Sequence, residues 1–471
     1  MPFTLQDLVG LALATLLCVP VLVLPGYAVG SATGLLGFER ATPFQRIGLA
    51  LLFATSAITG LEALVTRLAG LGPALAITLI AAMAGCLQLH RRGWPQVSRG
   101  VAVLLAGWFA LVSAAWIDIA VAGKLYPTLL AVDGVKHAAT VRAIVEAGGT
   151  PLTDPFFMRE GFASYYYFYY VPSALVEVLS FGLVDSRVAV GGQIFWTGLA
   201  LVALLHTLAT RAGLLVRHPE RTFAIAVALL FVAGAQLLSV MLGALGSGRW
   251  IAQTNWANQP VVSWVLSVLW VPHHVAGFIA TWIGLLLVAS TANSSTSASA
   301  GHKERGAAIG LAALAFASAL GLSVWITIGA VAIAACWLVL LLVQRQNQVV
   351  LALIMAGALS LLLASPHLAD LYQFRSFEVM PMAFGVRPIE FDPRLEAMAG
   401  SQALARIIYM PLHYGIEFGL IAIGAIFYWR SQTFAALRAQ PVAQLARLTE
   451  TRTPAPRRTA ECRPPTAARA P

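Results

Sequence analysis

One polar insert interrupts an otherwise apolar chain. It gathers the side chains best able to exchange a proton or grip an anion: Asp133, Lys136, His137, Arg142, Asp154, Arg159 and Glu160, followed by Tyr165, Tyr166, Tyr167, Tyr169 and Tyr170. In lipid such groups are costly, so their concentration in one place points to where chemistry can occur. Each residue also has a plainer reading. Asp133 stands where a cap would accept backbone N–H bonds at the start of GVKHAATVRAIVEAGG, and Lys136 and His137 fit the solvated face of that helix. Asp154 before Pro155 is a turn starter, and Glu160 reads as a surface charge. The tyrosines read as an aromatic belt at the membrane interface or as a platform for stacking rings.

The elements that must position these groups follow from composition. With 59% hydrophobic residues, 11% charged residues and a mean hydropathy of +0.79 over 471 residues, the chain is not a soluble globular protein. Alternating ten-residue segments, the mark of a membrane barrel, are absent, while apolar runs of about 20 residues recur, long enough for helices to span the bilayer. The fold class is therefore all-α, a polytopic integral membrane protein. The net charge of +10 is concentrated in the arginines beyond residue 430, so membrane lipids are the expected partner and nucleic acid is not. Cys18, Cys86, Cys336 and Cys462 have no paired or metal-type spacing, and neither a disulfide nor a cysteine metal site is expected.

A hydropathy window gives about eleven spans: 8–29, 46–66, 72–90, 101–122, 188–210, 222–245, 268–290, 306–322, 325–343, 348–365 and 414–429. Basic residues cluster in alternate short loops, at Arg40 and Arg46, Arg91 to Arg99, Arg211 to Arg221, Lys303 and Arg305, and Arg345, which places those loops in the cytoplasm. The opposite short loops hold only Arg67 and Arg249. The expected protein is thus a multi-pass protein of the cell membrane with its N-terminus outside, its C-terminus inside and its first span retained. Residues 1–100 read as N-terminal helices and 101–429 as the transmembrane core. Residues 430–471 read as a disordered basic tail.

On this topology residues 162–184 do not form a twelfth span, because a crossing there would push Arg211 to Arg221 outside. The segments 123–187 and 366–413 become outer loops, the second carrying Arg375 and Arg387. His137, His273, His274, His367 and His413 fall on that same side, where interfacial histidines also simply tolerate headgroups. Neighbours on a helix are about 100° apart, so at most one of His273 and His274 is expected to face a site. Asp118 lies near the outer end of its span, either lining the same cavity or paired, and apart from it the spans carry little charge. Residues 291–305 read as a flexible linker.

The block from Asp133 to Pro172, with an Asp and a His four residues apart, an amphipathic helix, a G-x-P turn, Asp-Pro and YYYFYY, resembles the first outer loop of the bacterial and archaeal YYY membrane protein family. WVPHH at Trp270 to His274 supports the likeness. That family is similar to the GT-C superfamily of glycosyltransferases that use lipid-phosphate sugars. The resemblance implies an inverting transferase with a polyprenyl-phosphate sugar donor. Asp133 matches the catalytic carboxylate, and Asp154 and His137 stand beside it. General-base help of this kind contributes about 10² to 10⁴ in rate. Lys136, Arg142, Arg159, Arg375 and Arg387 are the cations available to the departing phosphate. Tyr165, Tyr166, Tyr167, His273 and His274 would line the substrate site. No cofactor is certain. A divalent metal on Asp133, Asp154 and a His is possible in chemistry but forced by no spacing. The rival readings are a transporter or flippase of lipid-linked sugars, and a non-catalytic envelope-assembly protein. No internal repeat, Walker loop, dinucleotide fingerprint or Ser-His-Asp arrangement is present.

Overall fold

The computed structural model describes residues 5–128, 131–150, 166–215, 218–232, 262–292, 298–375, 390 and 393–415. The chain is a bundle of long apolar helices. Nine helices among the described residues are long and apolar enough to cross a membrane. They lie within α1 (Leu5–Thr33), α2 (Pro43–Ala69), α3 (Leu71–Arg92), α4 (Arg99–Trp116), α7 (Ser186–Arg211), α10 (Pro272–Ser290), α11 (Ala298–Leu322), α12 (Val324–Val343) and α13 (Asn347–Arg375). Between α4 and α7 come a small antiparallel hairpin, β1 (Ile119–Val121) with β2 (Lys124–Tyr126), then α5 (Ala131–Ala147) and α6 (Val171–Leu179). The shorter helices α8 (Pro219–Ala228), α9 (Trp264–Trp270) and α14 (Pro393–Ala399) complete the described elements used below. The fold is an all-α polytopic membrane protein.

Local chemistry sets the helix ends. Thr42 and Gln45 form a reciprocal capping box ahead of Pro43 at the start of α2, satisfying donors that a helix N-terminus leaves open. Asp185 caps α7 by accepting from the N–H groups of Arg187 and Val188 at 2.9 and 3.0 Å. Helices α1, α2, α7, α10 and α11 form the interior. Lipid and helix surfaces are equally apolar, so close backbone approach must hold them together. A Cβ at Gly26 would collide with the Ala50 carbonyl, and one at Gly85 with the Leu24 carbonyl. By contrast α12 turns Val331, Ile333, Val339 and Val343 outward, as a helix facing acyl chains does.

Several expected boundaries move. The span placed at 101–122 ends at Trp116, because the chain breaks into the hairpin, so Asp118 lies just past the helix. The segment from 366, expected to be an outer loop, is helical through Arg375, since α13 runs on through Pro366. The linker at 291–305 is helical from Ala298. Of the span at 222–245, α8 and a short turn to Phe231 are described, and the rest lies outside the described residues, as does nearly all of 414–429.

The tyrosine run departs most from expectation. Residues Tyr167–Tyr170 form a tight 3₁₀ turn leading into α6, and Tyr166, Tyr167, Phe168, Tyr169 and Tyr170 are 0 to 5% exposed. They are packed inside the protein rather than spread along an interface. Helix α6 is only nine residues long, turns back at the exposed tip around Phe181, and packs beside α7. It enters the bundle without crossing. Its polar groups are satisfied by α7: the Gln193 amide donates to the Tyr169 carbonyl at 2.7 Å, and Tyr169 and Thr197 share a hydroxyl bond at 3.1 Å. Those partners lie roughly 10 to 17 Å along α7 at 1.5 Å per residue.

Candidate functional site

Five elements meet at one end of the bundle: the C-termini of α2 and α4, the N-termini of α7 and α10, and α5 lying between them. Helix α5 presents two faces, because residues three and four apart share a stripe. Asp133, Lys136, His137 and Thr140 form one stripe. Val135, Ala138, Ala139 and Arg142 form the other, about 200° away.

The first stripe faces an aromatic core. The indole N–H of Trp270 donates to the Asp133 carboxylate, which is half-buried. His137 is 2% exposed, with Nε2 at 3.1 Å from the Trp270 carbonyl and Nδ1 against the Tyr170 hydroxyl. A carbonyl only accepts, so Nε2 carries the proton; burial holds the imidazole neutral, with a pKa pushed down to about 4, so Tyr170 donates to Nδ1. The Trp270 carbonyl bond and the Asp133 charge oppose that shift without overcoming burial. Trp116 stacks on the same ring at 6.1 Å. His137 therefore pins α5 to α10 and to the tyrosine turn with both nitrogens engaged.

Around this pin, Tyr166 stacks on His273 at 4.3 Å and 18°, and Lys136 places its ammonium 4.8 Å over the Tyr166 ring. Burial, with the Asp133 charge adding to it, raises the Tyr166 phenol to about 12, and burial raises Tyr167 and Tyr169 as well. His273 is buried, while His274 points elsewhere, its Nδ1 bonded to Ser323 at 2.7 Å. The two histidines thus serve different neighbours. Tyr167 lies edge-on to His367 at 5.2 Å, beside a two-pronged ion pair in which Arg67 grips Asp370 at 2.7 and 2.8 Å.

The second stripe of α5 walls a cleft of about 450 Å³ whose rim includes Asp118, Arg142, Asp185 and Arg187. Asp118 accepts from the Thr128 N–H at 2.9 Å and pairs with Arg187 at 3.1 Å, while Arg187 also donates to the Trp116 carbonyl at 2.7 and 3.1 Å. Asp118 is thus paired, and the cleft it lines is not shared with Asp133. Arg142 is exposed and bridges Glu146 and Glu177, which hold its guanidinium firmly charged. Glu177 also accepts from Ser186 at 2.5 Å, tying α6 to α7 beneath the cleft.

Asp133, Lys136, His137, Tyr166 and His273 come together, with Tyr167 and Arg142 at the margins. Asp133 does not line the cleft, which opens on the other face of its helix. Asp154, Arg159, Tyr165 and Arg387 lie outside the described residues, and Arg375 is placed only as the last residue of α13. Among the described residues no group of three or more His, Cys, Asp or Glu is set to hold a metal. His137 offers none of the nitrogen such a site would need, since both of its ring atoms are bonded. Trp116 and Glu177 escaped sequence reasoning, and Trp270 entered it only as the first residue of WVPHH; the signal for Glu177 was a lone acid in the apolar run VPSALVEVL. Glu62 and Asp370 were also missed, and Arg67 was read only as a loop residue; all three sit within the longer helical spans Pro43–Ala69 and Asn347–Tyr372. Compared with known proteins, the chain matches no family model, no curated protein and no solved structure.

Proposed function

We propose that this protein is a membrane glycosyltransferase of GT-C type that moves a sugar from a polyprenyl-phosphate donor to an acceptor on the outer face of the cell membrane. The observation that supports it is the convergence on α5. A half-buried carboxylate, Asp133, is oriented by an indole N–H beside the Lys136 ammonium, at the helix-bundle end where the cleft with Asp118, Arg142 and Arg187 opens. In this reading Asp133 takes the proton of the acceptor hydroxyl as its oxygen bonds to the anomeric carbon and the polyprenyl phosphate departs, inverting that carbon. The nearby cations offset the charge on the leaving phosphate. His137 is a positioning residue, setting the angle of α5 through Trp270.

The test supplies membranes containing the protein with a panel of radiolabelled polyprenyl-phosphate sugars. Label leaving the lipid fraction with the wild type, and staying there with Asp133→Asn, supports the assignment; transfer undiminished in that variant refutes it.

One observation favours a second reading, a transporter or flippase of lipid-linked sugars: Glu62, Arg67 and Asp370 lie inside spans, as ionisable groups along a translocation route do. That reading requires labelled lipid-linked sugar to change leaflet with its sugar–phosphate bond intact.

A further inference from the structure

Glu62 stands apart from the site above. It lies in α2, 3% exposed, and its Oε1 accepts from the Thr78 hydroxyl of α3 at 3.0 Å. Its second oxygen, Oε2, is buried without a partner among the described residues. A carboxylate so placed would hold its charge in low dielectric with one hydrogen bond, which burial strongly disfavours. A cation would offset that cost, yet the nearest on the same helix, Arg67, is turned to Asp370 of α13 with both prongs engaged. The elements packed on α2 bring no cation bonded to Glu62: α13 brings His367, buried against Tyr167 and Phe168 with both ring nitrogens unpartnered among the described residues and no hydrogen bond to Glu62. Helix α3 carries His90, Arg91 and Arg92, and α11 carries Lys303, Glu304 and Arg305, at the opposite end of the bundle from Glu62. Helix α1 brings Cys18, a buried thiol. The segment α6 with its 3₁₀ turn brings Tyr167, beside the Arg67–Asp370 pair, and Glu177, which is held by Arg142 and Ser186.

Hydroxyls continue from the carboxyl along its own helix. Thr66 sits one turn beyond Glu62 on the same stripe, its Oγ1 buried and unpartnered among the described residues, and its carbonyl packs against Gly149 just past the end of α5. A ladder of Thr78, Glu62 and Thr66 therefore leads from the carboxyl toward the α5 end of the bundle. A second irregularity lies beside it: residues Ala54–Ile58 of α2 form a π-helical segment, a feature often found at functional positions.

We propose that Glu62 is a proton-binding site buried in the membrane, a neutral carboxylic acid that exchanges its proton toward the α5 end, and that it is a modification site for apolar carbodiimides. In that modification the carboxyl oxygen bonds to the central carbon of the carbodiimide while the acid proton moves to a carbodiimide nitrogen. The adduct then rearranges to an N-acylurea with nothing lost, so the proton on Glu62 is itself a reactant. An ionised or salt-bridged carboxylate lacks it.

The test uses the full-length protein in detergent at neutral pH, treated with dicyclohexylcarbodiimide and mapped by peptide mass spectrometry. The expected result is an adduct on the peptide containing Glu62, reduced at least tenfold in Glu62→Gln, which keeps the acceptor for Thr78, and reduced likewise when a water-soluble carbodiimide replaces the apolar one. Infrared difference spectra of wild type minus Glu62→Gln should show the carbonyl band of an un-ionised carboxylic acid that shifts in heavy water. Carboxylate bands in that difference, a band that never exchanges, or no label on Glu62 would each overturn the proposal.

Discussion

The carbonyl of Trp270 accepts a hydrogen bond from His137 at 3.1 Å, while the indole of the same tryptophan donates to Asp133, one turn earlier on α5. A single residue at the α9–α10 junction thus holds both ends of one helical turn. The orientation of the Asp133 carboxylate is set by a ring whose own position depends on the buried imidazole.

If Asp133 is the general base, Asp133→Asn is expected to lower transfer by about 10² to 10⁴ with little change in donor affinity. Trp270→Phe removes only the indole donor and is expected to lower kcat by a smaller factor, roughly tenfold, at nearly unchanged KM, consistent with one lost charge-assisted hydrogen bond. Initial rates over a donor series measure both.

His137 makes stability depend on pH. Its folded value of about 4 lies below the usual 6.5, so between those values the unfolded chain binds a proton that the folded chain refuses. Stability contributed by the neutral ring is full above pH 6.5 and falls as pH drops toward 4, by about 3 kcal/mol at the limit. Thermal melts in detergent from pH 7 to pH 4 are expected to show this slope in the wild type and to lose it in His137→Phe. A parallel slope in the variant would show that other groups are responsible.

The Arg67–Asp370 pair joins α2 to α13 with an Asp370 side chain 7% exposed. Removing one partner strands the other charge, so Arg67→Met and Asp370→Leu are each expected to cost about 3 to 5 kcal/mol, and the double variant markedly less than their sum. A double-mutant cycle by denaturant titration in mixed micelles reads the coupling. Additive losses would mean that the pair holds nothing in place.

Sidedness is open to direct measurement. With the four native cysteines replaced, a cysteine at position 133 is expected to react with a membrane-impermeant maleimide in sealed cells, and one at position 95 only after permeabilisation. The reverse pattern would invert the topology and remove the proposed outer-face chemistry.

The polytopic all-α class and nine of the spans were legible in the sequence, because membrane insertion is a local property: about 20 apolar residues satisfy their own backbone and need no distant partner. The Asp133 to Pro172 block could be read as one unit for the same reason, since its residues are contiguous. Tertiary structure decided the rest. Tyr169 and Tyr170 became core rather than belt because Thr197, Gln193 and His137, all distant in the chain, satisfy their hydroxyls or backbone in the interior. The two faces of α5 acquired opposite environments, a packed aromatic core and an open cleft, through contacts with α10 and α7 that no window of sequence contains. Glu62 and Asp370 drew no notice in the sequence, and only the packing of α2 on α3 and α13 gave one a threonine and the other an arginine. Burial of a polar group is decided by what meets it in space, and that is fixed only when the helices assemble.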